Sequence, residues 1–64
     1  MREVRKGDDA VVHTERPELE EKFAGKTGRV IAVQQGTGDV LLKFKGRAWP
    51  VAFARNHVGI RFND

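Results

Sequence analysis

Short runs in which apolar and polar residues alternate recur along the chain, with glycine-containing turns between them. In the clearest run, residues 39–45, Val40, Leu42 and Phe44 fall on one face and the intervening residues fall on the other. A period of two is typical of a strand that buries one face. Patterns of this kind predict five strands, at residues 7–13 (a turn and then a strand), 27–34, 39–45, 48–53 and 58–62.

The second and fourth strands each carry a local irregularity. Val30 and Val33 lie three residues apart, so a β-bulge or a strong bend must change the register between them if both face the core. Pro50 cannot donate a ladder hydrogen bond, which places the fourth strand at a sheet edge or beside a bulge. The expected core consists of Ala10, Val12, Val30, Val33, Val40, Leu42, Phe44, Val51, Phe53, Val58, Ile60 and Phe62.

The connections between the strands are short, with one exception. A Gly-rich hairpin is expected at residues 35–39, a tight turn at Gly46-Arg47 and one turn of 3₁₀ helix at residues 54–57. Residues 14–26 are predicted to form a long loop, with one or two helical turns at most. The whole pattern predicts an all-β fold, a small five-stranded, partly open barrel with a long loop after the first strand and a short 3₁₀ turn before the last. Residues 1–64 form a single domain, in which residues 1–6 are expected to be a loose N-terminus.

Two glycines, Gly25 and Gly28, precede the apolar part of the second strand. Glycine accepts a positive φ and a close approach of neighbouring atoms, so the G-x-x-G spacing predicts a tight bend there. A Gly-Asp pair before the first strand, a long loop, G-x-x-G-x-V-x-x-V over residues 25–33 and an alternating strand at 40–44 together resemble an SH3-like barrel of the KOW type. The resemblance implies a module that contacts RNA or protein partners, as in ribosomal proteins and transcription elongation factors. The same barrel serves in accessory subunits that dock onto other proteins.

The amino-acid composition argues against several kinds of functional site. The chain has no cysteine and two histidines, which argues against a disulfide or a closed zinc site. No nucleophile–base constellation is recognisable, so we expect a non-enzymatic protein without cofactor or metal; a site shared between the copies of an oligomer is a remote third hypothesis. No apolar stretch approaches the roughly 20 residues that span a bilayer. No apolar run follows the basic N-terminus, so we expect a cytoplasmic protein with no membrane partner.

The net charge of +3 conceals an asymmetry along the chain. Residues 1–21 carry four basic and seven acidic side chains, whereas residues 22–64 carry eight basic and two acidic ones. Adjacent strands are about 4.8 Å apart, so the cations of strands two and three are expected to form one patch that suits phosphate groups. The alternative is an ordinary solvated strand face. The patch would consist of Lys26, Arg29, Lys43, Lys45 and Arg47.

Trp49 is the single tryptophan and follows this patch along the chain. An exposed indole would let nucleobases stack on it, but its spacing from Val51 and Phe53 favours a second role, in which it caps the core.

Two binding functions follow from these features. The leading hypothesis is a non-enzymatic module that contacts RNA, DNA or a nucleoprotein complex through its basic strand face, with Trp49 in the site. The alternative is an accessory subunit that docks onto a protein complex through its exposed apolar residues and its acidic loop, where the relevant residues are Glu18, Glu20 and Glu21. A continuous basic surface would favour the first hypothesis, and mixed charge around an apolar patch would favour the second.

Overall fold

A computed structural model describes residues 2–13 and 22–63 of the chain. These residues form antiparallel strands and a single turn of 3₁₀ helix, so the prediction of an all-β fold is confirmed, including the 3₁₀ turn before the last strand. The elements are β1 (Asp9–Val12), β2 (Thr27–Val33), β3 (Val40–Lys43), β4 (Val51–Phe53), the 3₁₀ helix (Arg55–His57) and β5 (Val58–Arg61).

The strands of the described residues form one sheet in the order β4-β3-β2-β1-β5. β4 and β5 are the two edges of this sheet, which is therefore not closed, as expected for a partly open barrel. Pro50 immediately precedes the edge strand β4, so its missing N–H removes no ladder hydrogen bond. A small five-stranded antiparallel sheet of this order is compatible with an SH3-like fold.

The irregularity expected in the second strand is present in β2. Val30 pairs with Leu42 and Ala32 pairs with Leu41, so one additional residue lies in β2 between the two pairs. This bulge lets both Val30, which is buried, and Val33, which is partly buried, contact the same core. The three-residue spacing of the two valines was therefore a correct indicator of the register shift.

The core contains most of the residues expected from the alternation. Three of the expected residues, Val33, Val51 and Ile60, pack against the core while remaining partly exposed. Phe62, also predicted as core, is half-buried, and the Arg2 guanidinium lies over its ring at 5.1 Å from the centroid. The buried residues are Ala10, Val12, Val30, Val40, Leu42, Phe44, Phe53 and Val58. Two residues that the pattern did not indicate, Val4 and Phe23, also pack against them.

The two glycines before β2 have different structural roles. Gly25 adopts φ 78°, a conformation that other residues rarely accept. Gly28 lies inside β2 and is buried; a Cβ at this position would be 3.1 Å from Cβ of Leu42 and 3.1 Å from Cε1 of Phe44. The first glycine therefore makes the bend, and the second lets β2 approach the side chains of β3 closely.

A buried carboxylate, Asp8, ties the two ends of the described chain together. Arg2 donates to it from both terminal nitrogens, one of them at 2.8 Å, and the backbone N–H groups of Arg5 and Asn63 donate at 2.9 and 3.0 Å. We call these four residues the terminal clamp. The N-terminal segment, which we expected to be loose, thus makes specific contacts from Arg2 onward, and its Val4 packs on the core.

Hydrogen bonding explains how the clamp accommodates a buried charge. The hydrogen bond from Arg2 holds the pKa of Asp8 well below its usual range, with further lowering by the N–H groups of Asn63 and Arg5, while burial acts in the opposite direction. The carboxylate therefore stays ionised, and every donor around it stabilises the charged form.

Candidate nucleic-acid interface

Three phenylalanines pack together at the end of β3. Phe23 stacks on Phe44 with ring centroids 4.8 Å apart, and Phe53 meets these two rings edge-on at 5.6 and 6.0 Å. Backbone hydrogen bonds fix Phe23 in place, because its carbonyl accepts from Lys26 N–H at 2.8 Å and Gly25 N–H donates to Val12 at 2.8 Å. The cluster forms a rigid aromatic base for the surface residues around it.

Three cations surround the outer side of this aromatic cluster. Lys26, Lys45 and Arg47 are all exposed. The Arg47 guanidinium lies over the Phe23 ring at 4.8 Å from its centroid, a cation–π contact that orients the group while leaving it accessible. Together with the aromatic rings these cations line a depression of about 280 Å³, which we call the basic cup: Phe23, Lys26, Thr27, Phe44, Lys45 and Arg47.

No described carboxylate lines the basic cup. The acids within residues 2–13 and 22–63 are Glu3, Asp8, Asp9 and Asp39. Asp8 belongs to the terminal clamp, Asp9 is paired with Arg29, and Asp39 precedes β3 at the end of that strand remote from Lys45. Among the described residues, the positive charge of the basic cup is thus separated from negative charge, and such separation attracts anions.

Trp49 lies on the surface beside the basic cup. Its side chain is 81% exposed, so the prediction that it caps the core is wrong. The physical reason is that β4 begins at Val51, and residues 48–49 form a bend in which strand alternation does not apply. Trp49 instead lines a groove of about 490 Å³, here called the Trp groove, which shares Arg47 with the basic cup and is formed by Gly46, Arg47, Ala48, Trp49, Pro50 and Val51.

The other two cations of the expected patch are placed differently. Arg29 and Lys43 are direct partners in the register between β2 and β3. Arg29 donates to Asp9 at 2.7 Å, and half-buried Lys43 donates to the Phe44 carbonyl at 3.3 Å. The structure therefore divides the five cations into a cup of three and a strand pair of two, of which the pair has internal partners.

Asp9 neutralises part of the strand pair's charge. In the sheet register it lies opposite Arg29 on one side and Arg61 on the other. Hydrogen bonds from the side chains of Asn63 and Arg29 hold the pKa of Asp9 below its usual value, and the charge of Arg61 contributes. This part of the sheet is a mixed row of charges, in which Asp9 compensates part of the positive charge.

A third depression, of about 390 Å³, lies near the far end of β2. It contains both a carboxylate and a guanidinium, so its charge is mixed; its lining residues are Glu3, Val4, Val33, Gln34, Gln35, Gly38 and Arg55.

Within residues 2–13 and 22–63 there is no group of three or more His, Asp or Glu side chains arranged to hold a metal ion. In the same part of the chain, no helix is long and apolar enough to cross a membrane.

Of the six predicted nucleic-acid-binding residues, four line the basic cup or the Trp groove: Lys26, Lys45, Arg47 and Trp49. The acidic residues of the alternative hypothesis, Glu18, Glu20 and Glu21, lie outside the described residues. Phe23, which supports Arg47, was missed as a site residue because it was assigned to the long loop. The available signal was a single aromatic residue between a charged stretch and Gly25, where the chain turns back onto the sheet.

Comparison with known proteins gives no relative from which a function could be transferred. The chain matches no protein-family model, no curated protein and no solved structure.

Proposed function

We propose that this protein is a nucleic-acid-binding module, and that the basic cup is its phosphate-binding surface. One observation carries the proposal: Lys26, Lys45 and Arg47 line one depression in which no described carboxylate takes part. Phosphate oxygens are the ligands that such a group of ammonium and guanidinium ions attracts, and Arg47 is already oriented by its contact with Phe23. The resemblance to KOW-type barrels, carried by the Gly-Asp pair, the G-x-x-G-x-V-x-x-V motif and the alternating strand that follows, supports the same function.

Arg29 and Lys43 have a secondary place in this proposal. Their partners, Asp9 and the Phe44 carbonyl, reduce the charge that they offer to a ligand. They extend the positive surface along β2 and β3, and a longer nucleic acid would reach them after the basic cup is occupied. The site proposed here therefore has a strong centre of three cations and a weaker flank of two.

A fluorescence anisotropy titration with labelled RNA and DNA tests the proposal. Binding should weaken as salt rises, with a log–log slope of about −2 to −3 for contacts by three cations, at about −0.7 to −0.9 per phosphate. The double variant Lys45→Glu/Arg47→Glu should abolish binding. Arg47→Glu alone should weaken binding strongly, and Arg55→Glu is its charge-matched control, because it reverses one exposed arginine in the third depression and should leave most of the affinity. Equal loss in the two single variants would show that net charge alone matters and would contradict a localised site.

Docking onto a protein is the second candidate function, and the exposed indole favours it. Trp49 with Ala48, Pro50 and Val51 offers an apolar anchor beside a cation, and exposed tryptophans of this kind are enriched at interface hot spots. This function requires a partner whose capture survives nuclease treatment and depends on Trp49. Absence of nucleic-acid binding at low salt, together with such capture, would select it over the first proposal.

A further inference from the structure

The position of Trp49 relative to the basic cup indicates which form of nucleic acid the surface recognises. We infer that the surface binds single strands, with an unpaired base stacked on Trp49 while the adjacent phosphate contacts Arg47. This inference rests on the proposed function and specifies its ligand.

Exposure of the indole is the first step of the argument. An 81% exposed tryptophan leaves apolar surface in water, which costs free energy unless a ligand covers it. The flat faces of an indole and a nucleobase match, and stacking of this kind tolerates any base because each has a π-face. In a duplex, by contrast, both faces of a base are covered by its neighbours, so a surface tryptophan gains little from it.

The second step is the arrangement of charge beside the ring. Arg47 lines both the basic cup and the Trp groove, so the two depressions meet at a guanidinium that the Phe23 ring orients. A nucleotide presents its base and its phosphate as neighbouring groups, one flat and apolar and the other anionic. A groove of about 490 Å³ has the size of a small-ligand cleft, and it can take the base while the cup takes the phosphate.

The third step concerns the backbone that carries the tryptophan. Trp49 lies in a bend between the Gly46 turn, where φ is 86°, and the edge strand β4. The high exposure of Trp49 leaves its ring accessible to an incoming strand, and among the described strands none pairs with the outer side of β4. Base and phosphate can therefore approach from solvent without displacing any element of the described sheet.

Intrinsic fluorescence tests the inference directly, since Trp49 is the sole tryptophan. The probes are one mixed-sequence strand of about 10 nucleotides, as RNA and as DNA, the same strand annealed to its complement, and polyglutamate as an anionic polypeptide. The single strand should quench the emission and bind more tightly than the duplex, and polyglutamate should do neither. Quenching by polyglutamate equal to that by the strand would overturn the inference in favour of an acidic protein partner.

Substitutions at Trp49 separate stacking from general apolar contact, with anisotropy as the readout. Trp49→Leu keeps apolar bulk but has no π-face, and it should lower single-strand affinity about 5- to 150-fold. Trp49→Phe keeps a π-face and should retain most of the affinity. Both variants should keep the wild-type circular dichroism, because the side chain lies outside the core.

The outcomes distinguish failure of the inference from failure of the proposed function. If duplex and single strand bind equally, without quenching, and both depend on Lys45 and Arg47, the basic cup binds nucleic acid and the stacking inference is wrong. If neither binds at low salt, the proposed function fails and the inference fails with it. Equal affinity of the Leu and Phe variants would also overturn the stacking role.

Discussion

The terminal clamp and the basic cup use charge in opposite ways. In the clamp, a buried carboxylate is surrounded by donors from Arg2, Arg5 and Asn63, and the Arg2 side chain is itself three-quarters covered. In the cup, exposed cations face solvent with no described carboxylate beside them. Charged groups that pair inside the protein stabilise its fold, whereas charged groups without a carboxylate beside them remain available for an external ligand. We therefore attribute stability to the terminal clamp and the proposed ligand binding to the basic cup.

The largest effect on stability is expected from removing the clamp's central group. Asp8→Ala would remove the acceptor of two backbone N–H groups and the carboxylate that pairs with the Arg2 guanidinium, and the loss of a buried acceptor of this kind is costly. We expect the Tm in thermal unfolding to fall by more than about 10 °C. Asp39→Ala is the matched control, an acid that also precedes a strand but is not part of the clamp, and its Tm should change little. Equal Tm values for the two variants would contradict the structural role of Asp8.

The second-largest effect on stability is expected at Gly28, where β2 approaches the side chains of β3 closely. Gly28→Ala places a methyl group 3.1 Å from both Leu42 and Phe44, and overpacking of this kind typically costs about 1–3 kcal/mol of unfolding free energy. Gly36→Ala provides the control, since no heavy atom lies within 4 Å of a Cβ there. Urea denaturation of both variants measures the difference. A Gly28→Ala protein as stable as the Gly36→Ala protein would show that the sheet absorbs the methyl group.

A smaller loss of stability is expected when the pH is lowered. The folded-state pKa values of Asp8 and Asp9 are both lowered, so their contribution to stability is complete above the unfolded value of about 3.9. It is lost as the pH falls below that value and the carboxyls take up protons. The Tm should therefore be constant from about pH 7 to 5 and decline from about pH 4 downward. Asp8→Asn should flatten this decline, and parallel curves for the variant and the wild type would assign the acid sensitivity to other groups.

Features set by local pattern could be predicted from the sequence. The alternation of Val40, Leu42 and Phe44 correctly placed β3, because each residue's face depends only on its neighbours in the strand. The spacing of Val30 and Val33 revealed the bulge for the same reason. The G-x-x-G spacing also indicated that a side chain would not fit at Gly28, although the reason is packing against β3 and not a positive φ.

Features set by distant contacts could not be predicted. Asp8 is buried because Arg2 and Asn63, separated by almost the whole chain, converge on it. Trp49 was assigned to the core by extending strand alternation across a bend, where the backbone no longer alternates. The five-cation patch divided for a similar reason, since a sequence does not reveal that Asp9 reaches Arg29 across the sheet.

The smallest effects on stability are expected in the basic cup. Lys45→Gln should change the unfolding free energy by no more than about 0.5 kcal/mol, because the side chain is exposed. Arg47→Gln should cost up to about 1 kcal/mol, since it also removes the contact with the Phe23 ring. Denaturant unfolding of each variant measures these changes. If Lys45→Gln lowered the stability as much as Asp8→Ala does, the distinction between a structural region and a binding region would be wrong.

The strand order also has a consequence for the rates of folding. β2, β3 and β4 follow one another in sequence and pair with their neighbours, whereas β1 pairs with β5, bringing Asp9 opposite Arg61. Contacts between distant residues close large loops and tend to form late. The β2–β3–β4 meander is therefore expected to be structured in the transition state, with the terminal clamp assembled after it. In stopped-flow experiments Asp8→Ala should accelerate unfolding while leaving refolding nearly unchanged, and Gly28→Ala should slow refolding. The clamp, on this view, governs how long a folded molecule lasts rather than how quickly it forms.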